Sequence, residues 1–320
     1  MQDSSKETMD AGLRPYRDRK APGRDRLAFL SVVASLLLFT ILLQGCSGRS
    51  GSRKLQVVAS IEPLAYFVER IGGERVSVSV MVPPGGDPHS YEPTPRQMVR
   101  LGSAALFVKA GSGVEFELNW MPRFLDLNRE LSVCDASAGV RLIPMEHTDA
   151  HEEQGHARGR YDPHFWLSPS NARQIAANIA QSLVRLDPSH RKEYQSNLAV
   201  LDTELQALDR DLRQRLAGVG SRRFIVFHPA WGYFAQEFGL EQIAAEQEGK
   251  TLTPVQMARV IETARAAGIR TVFVSPQFSS AQADAIARDI GGVTVQVDPL
   301  SKDYQNNLRR ATNAFAGELR

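Results

Sequence analysis

The stretch that most constrains this chain runs from residue 188 to residue 217. It holds no glycine, and its only proline is its first residue. Asp187 and Pro188 offer a capping residue and a first-turn proline. Leu198, Leu201, Leu205, Leu208, Leu212 and Leu216 then step by three and four, which lays a single apolar stripe along one helix. Roughly 30 residues at 1.5 Å rise span ~45 Å, more than one small lobe needs. The stretch reads as a rigid connector lying across two lobes.

Strand-like and helix-like segments alternate on both sides of it. Before it come the strand LQVVAS, the helix PLAYFVERIGG stopped by glycines, and the strand VSVSVMV. The helix TPRQMVRLGSA follows, with Thr94 as N-cap and Pro95 at its first position, then the strands ALFVKAG and LSVCDAS. After it come the strand RFIVFHP, the helix AWGYFAQEFG, and a capping box from Thr253 to Gln256 ahead of MARVIETARAAG. The strand TVFVSPQ, the helix SSAQADAIARDIGG with Ser279 and Gln282 spaced as a second capping box, and the strand VTVQVDP complete the chain. Such alternation predicts an α/β fold of two lobes, residues 55–187 and 218–320. Each lobe has a mainly parallel sheet flanked by helices, and the helix of residues 188–217 joins them.

The first 46 residues are of another kind. Arg14, Arg17, Arg19, Lys20, Arg24 and Arg26 lead into the uncharged run LAFLSVVASLLLFTILL, residues 27–43. At ~17 residues the run sits at the short limit for a membrane span. A basic approach, an apolar core and then small residues make the signature of a secretory signal. Leu43-Gln44-Gly45-Cys46 resembles a bacterial lipobox, in which cleavage precedes the cysteine and its thiol takes a diacylglycerol. The competing reading is an uncleaved anchor. Residues 47–54 form a flexible Gly/Ser/Arg linker. With residues 1–46 set aside, the 38 basic and 36 acidic residues fall to 31 of each, so no nucleic-acid surface is expected. A lipidated Cys46 leaves Cys134 alone, an inert thiol in an apolar strand.

Three of the seven histidines share a setting. His89 lies in DPHSYEP, His164 in DPHFWLSP and His228 in FHPAWGYF; each adjoins a proline and is followed by an aromatic. His228 closes a strand, as does Asp298 in QVDPLS. Ligands of open α/β sheets bind at the carboxyl ends of strands. Two facing sheets would therefore bring these side chains to one cleft, where three imidazoles and a carboxylate suit a first-row metal. Proline-stiffened loops would hold the site in shape before the ion arrives. The spacing is dispersed, with no HExxH and no CxxC, so three unrelated structural histidines stay open on spacing alone.

The segments DPHSYEPTPRQ, DPHFWLSPSNA, FHPAWGYFAQEFGL and VDPL occur in this order around the leucine-striped helix and behind a lipobox. Together they resemble the metal-binding receptors of bacterial ABC importers for zinc and manganese, the ZnuA/TroA-like family, over nearly all of the chain from Val57 onward. The resemblance implies a metal in the inter-lobe cleft. His89 and His164 would ligate from the first lobe, His228 and Asp298 from the second. It also implies an ABC permease as partner, a monomer, and a lipid-anchored place outside the cytoplasm, in the periplasm or on the outer face of the membrane. Pro88 stands where some zinc receptors carry a carboxylate, and the second-lobe disulfide of some relatives is absent. The fourth position therefore falls to Asp298 or to a water.

Zinc accepts three imidazoles readily, whereas manganese prefers more oxygen. Relatives that bind manganese commonly carry a glutamate where His228 stands. The tract MEHTDAHEEQGHARGR, residues 145–160, holds His147, His151 and His156 among acidic residues and cannot pack a core. It resembles the His- and acid-rich loop of zinc receptors, an auxiliary metal site; a merely solvated loop is the plainer reading. Zinc is the expected cargo, with manganese or iron in the same importer family as the alternative. A metallohydrolase needs a general base beside an open metal position, and the motifs offer none. An adhesin role would need a partner-binding patch.

Overall fold

Two parallel sheets of identical strand order organise the chain. The computed structural model describes residues 54–145, 161–246 and 251–319. In the first sheet β1 (Leu55–Ala59), β2 (Val76–Val80), β3 (Leu106–Lys109) and β4 (Ser132–Asp135) lie in the order β2-β1-β3-β4. In the second, β5 (Arg223–Val226), β6 (Glu241–Ala244), β7 (Thr271–Val274) and β8 (Val293–Gln296) lie in the order β6-β5-β7-β8. Val57 pairs with Val78 on one side and Leu106 on the other; Val226 likewise sits between Ala244 and Phe273. The inner strands are apolar and buried because helices cover both faces of a parallel sheet.

Those helices are α1 (Glu62–Gly72), α2 (Pro95–Gly102) and α3 (Glu115–Leu127) around the first sheet. Around the second are α6 (Gly232–Phe238), α7 (Pro254–Ala266), α8 (Ala281–Asp289) and α9 (Tyr304–Glu318). Between the sheets stand α4 (Pro169–Leu186) and α5 (Arg191–Leu216). The Thr94 and Thr253 capping boxes both form, each hydroxyl accepting from the N–H three residues on while that glutamine returns to the cap backbone. The box expected at Ser279 does not form. Gln282 instead holds both backbone groups of Leu252, accepting from its N–H at 2.9 Å and donating to its carbonyl at 3.0 Å. That two-point tie satisfies a segment ahead of α7 that a local cap would leave open.

The connector begins as a tight 3-10 turn, Pro188–His190, and runs on as α5. Leu201, Leu205, Leu208 and Leu212 are fully buried, and α5 packs on α1, α4 and α9. One hydrophobic core therefore continues from the first sheet through this helix layer into the second, reaching Phe224, Trp231 and Phe315. A smaller cluster lies under α7 and α8. Tyr304 at the start of α9 stacks on Tyr66, 5.6 Å between ring centroids, and packs against Phe67, so the last helix is seated on the first. Cys134 is a free, buried thiol. Among the described residues no helix is long and apolar enough to cross a membrane.

Candidate metal centre

Both Asp-Pro-His segments fold into the same small turn. His89 N–H donates to Asp87 Oδ1 at 2.9 Å, and His164 N–H donates to Asp162 Oδ1 at 2.9 Å. The proline between has no N–H to compete and a fixed φ, so the aspartate reaches two residues on. One turn follows β2 and the other follows β4, while His228 follows β5. His89 and His228 lie shortly past the carboxyl ends of strands, while His164 comes after a longer segment and directly before the 3-10 turn Phe165–Leu167.

There the rings converge. Ring centroids lie 5.1 Å apart for His89 and His228, 5.2 Å for His164 and His228, and 5.9 Å for His89 and His164. One nitrogen from each lies within 4.8 Å of the other two. His164 Nε2 and His228 Nε2 are 3.3 Å apart.

Each ring is held from behind by a carboxylate. His89 Nδ1 meets Glu115 Oε2 at 2.7 Å, His164 Nδ1 meets Asp162 Oδ1 at 2.8 Å, and His228 Nδ1 meets Glu246 Oε1 at 2.6 Å. An ionised carboxylate only accepts, so Nδ1 carries the hydrogen and the neutral ring turns its Nε2 lone pair inward. This is how metal-ligating imidazoles are commonly oriented. The inward atoms suit a cation. His89 Nε2 is shut off from solvent with no hydrogen-bond partner among the described residues. Nitrogens ~2.05 Å from a tetrahedral ion lie ~3.3 Å apart, which is the His164 to His228 spacing. Without a proton or cation between them, two lone pairs at that distance repel. A carboxylate on Nδ1 is not sufficient by itself: His190 has one, Asp187 at 2.7 Å, yet stands apart from the cluster.

The rings differ in basicity. Burial, the largest influence, drives His228 down to about 4, helped by the charges of His164 and His89 and opposed by Glu246. Burial also presses on His89, but the hydrogen bond and charge of Glu115, with Asp87 and Glu246 beyond, leave it above the ordinary histidine value. Burial pushes Glu115 up in turn, yet its bond to His89 outweighs this and holds it low.

The aromatics after the histidines tie the sheets together. Trp166 Nε1 donates to Pro299 O at 2.8 Å, and Tyr304 Oη donates to Trp166 O at 2.6 Å. Tyr233 Oη donates to Asp162 O at 2.8 Å and accepts from Ile143 N at 2.9 Å. Gly232 is required beside it: a Cβ there would fall 2.7 Å from Asp162 Oδ2, the carboxylate that holds His164. A cavity of about 840 Å³ opens over the three histidines, lined also by Tyr91, Trp120 and Gln242.

Asp298 follows β8, but its carboxylate is not among the atoms that lie within 4.8 Å of one another. Its Oδ1 accepts from Gln277 Nε2 at 2.8 Å and from Leu300 N at 2.9 Å. His147, His151, His156 and Cys46 lie outside the described residues. Sequence reasoning missed Glu115 and Glu246. Asp162 stood in plain view beside its motif, Glu115 only as the first residue of an unassigned helix, and Glu246 past a strand too short to recognise.

A protein-family model described as zinc-uptake complex component A, periplasmic, matches residues 57–317. The chain belongs to this family. Its members are solute-binding receptors of ABC importers and not enzymes, and the chain is accordingly a metal-binding receptor of that class. It is 29% identical over 293 residues to the high-affinity zinc uptake system protein ZnuA of Bacillus subtilis, covering 87% of this chain and 90% of that protein. It is also 29% identical over 283 residues to the iron-binding protein YfeA of Yersinia pestis, covering 85% of this chain and 87% of that one. A crystal structure of ZnuA superposes with a TM-score of 0.78 at 36% identity, over 83% of this chain and all of that one.

Proposed function

We propose that this receptor captures zinc outside the cytoplasmic membrane and delivers it to an ABC permease, tethered by a diacylglycerol on Cys46. His89, His164 and His228 hold the ion through Nε2, and Asp298 supplies the fourth donor. The observation that carries this reading is the three imidazoles, each with Nδ1 on a carboxylate and Nε2 turned inward. A nitrogen-rich, four-coordinate site suits zinc better than manganese, which takes six mostly oxygen donors. ZnuA of Bacillus subtilis supports zinc by its name, while YfeA and the manganese ABC transporter substrate-binding lipoprotein PsaA of Streptococcus pneumoniae, 28% identical over 277 residues, mark the alternatives. His147, His151 and His156 form a weaker auxiliary site.

Capture needs neutral rings and a donor set already in place. The carboxylates orient the rings, the proline turns fix their backbones, and the cross-sheet ties of Trp166 and Tyr233 keep the two halves at one spacing. Release then rests on small loop shifts at the permease rather than on wide opening, because a continuous core and α5 join the halves.

The test is a competition titration of the metal-stripped chain from Ser47 onward, zinc against manganese, with a chelator of known affinity. One tight zinc site lost in His228→Ala, with weaker sites lost on deleting residues 147–156, is the expected outcome. A preference for manganese would refute the zinc reading while leaving the receptor class intact.

A further inference from the structure

We infer that Gln277 is a metal-specificity residue: it occupies one oxygen of Asp298, so that this carboxylate can offer the ion a single donor. The inference rests on the reading of Asp298 as the fourth ligand. A carboxylate oxygen has two lone pairs. Both of those on Asp298 Oδ1 are used, one by Gln277 Nε2 at 2.8 Å and one by the backbone N–H of Leu300 at 2.9 Å. Oδ2 accepts no hydrogen bond among the described residues and is the oxygen left for a metal. The backbone donor is common to any side chain at position 300; the donor from position 277 is a choice of residue.

The amide is fixed in this sense. Reversed, its oxygen would face the carboxylate oxygen. As it stands, Gln277 Oε1 is buried without a partner among the described residues, a cost that position 277 carries for the sake of the Nε2 contact. The segment that bears it is stiff and belongs to the metal centre. Phe278 N–H donates to Ser275 O at 3.3 Å across a turn with Pro276 at its second position. The ring of Phe278 lies 4.5 Å from that of His228. Gln277 is therefore placed by a residue that packs on a ligand histidine.

The consequence is a matter of donor count. Three imidazoles and one oxygen complete a tetrahedral shell, which zinc takes readily. Manganese takes more oxygens and a larger coordination number, and a carboxylate binding through both oxygens is the simplest way to add one. Gln277 blocks that mode.

The experiment measures zinc and manganese Kd values by chelator competition for the wild type, Gln277→Leu, Gln277→Met and Asp298→Ala, with X-ray absorption of the bound metal as a second readout. Leucine and methionine match the size of glutamine and lack the donor. The expected result is a fall of at least tenfold in the ratio of the manganese Kd to the zinc Kd in both Gln277 variants, with one more oxygen at bound manganese. A merely structural role would weaken both metals together and leave the ratio and the coordination number alone, and that outcome overturns the inference. Asp298→Ala separates the two levels. If it weakens zinc while the Gln277 variants keep the wild-type ratio, only the role of Gln277 falls. If it leaves zinc affinity unchanged, Asp298 is no ligand, and the reading beneath falls with the inference.

Discussion

The two Asp-Pro-His turns share a tripeptide and a backbone hydrogen bond, and they differ in what holds the ring. In the second, Asp162 does two jobs: its Oδ1 takes the backbone N–H of His164 and also the ring Nδ1. In the first the jobs are divided. Asp87 takes the backbone N–H of His89, while the ring turns to Glu115, 26 residues further on at the start of α3. A local motif thus dictates the turn, but only tertiary structure decides how the imidazole is aimed. The second turn is self-contained and its histidine is buried; the first depends on a neighbouring helix and its histidine is partly exposed.

Removing the rings tests the comparison most severely. His164→Ala and His89→Ala should each cost more than the ten- to hundredfold in affinity that a ligand's outer partner is worth. His164→Ala should cost the more, because its ring is the more deeply buried of the two and Asp162 loses the ring it holds. Zinc competition titrations read both, and wild-type affinity in either variant would remove that ring from the site.

Splitting the jobs comes next. Glu115→Ala removes only a ring partner and should weaken zinc about ten- to hundredfold. Asp87→Ala removes only the turn and should cost less. Asp162→Ala removes a ring partner and a turn bond at once, so its loss should exceed that of Glu115→Ala. An Asp162→Ala loss no larger than that of Glu115→Ala would show that the backbone bond contributes nothing to aiming the ring.

This division also explains what the sequence could and could not reveal. All strands but β6, the leucine-striped helix and the three histidines were legible because each is written locally: alternating β-branched residues, leucines at helical spacing, and a histidine beside a proline with an aromatic after it. The helix α3 was not, since Pro122 interrupts its pattern. Nor was β6, four residues with no fully buried side chain among them. Helices α4 and α9 were passed over as well, although Pro169 and Ser168 mark the start of the first. Glu115 and Glu246 lie at the ends of such unassigned elements, so their roles could not be read. The expected capping box at Ser279 failed for the same reason in reverse: Gln282 has the right local spacing but a better distant partner in Leu252.

A pH titration sharpens the contrast between the rings. A ligating imidazole must be neutral. His89 is held above the ordinary histidine value by Glu115, whereas His228 titrates only near about 4. As pH falls, protons therefore compete at His89 before they reach His228, and zinc affinity should decline as pH drops through the raised range of His89. Glu115→Gln removes the charge that raises His89, leaving burial to lower it. The decline should then begin at a more acidic pH, although affinity at pH 7.5 is already reduced. Zinc Kd values measured between pH 8 and 5 decide this. An onset that does not move would mean that another group controls the competition.

The smallest effects concern the helices that follow the turns. Thr94 caps α2 on the surface, its hydroxyl accepting from Gln97 N–H. Thr94→Ala should cost about 1 kcal/mol of stability, the usual worth of an N-cap. Ser168 caps α4, accepting from Asn171 N at 3.1 Å, and also donates to Glu237 of α6 across the seam between the sheets. The Glu237 side chain is only 8% exposed and also holds Ser170, so losing one of its donors leaves a buried charge less satisfied. Bonds to charged groups are worth more than neutral ones, and Ser168→Ala should therefore cost about 2 kcal/mol or more. Urea unfolding midpoints compare the two directly. Equal losses would mean that Glu237 finds a substitute donor and that the cap alone counts. A larger loss for Ser168→Ala would show that the helix after the second turn, like the turn itself, combines a local and a long-range role in one residue.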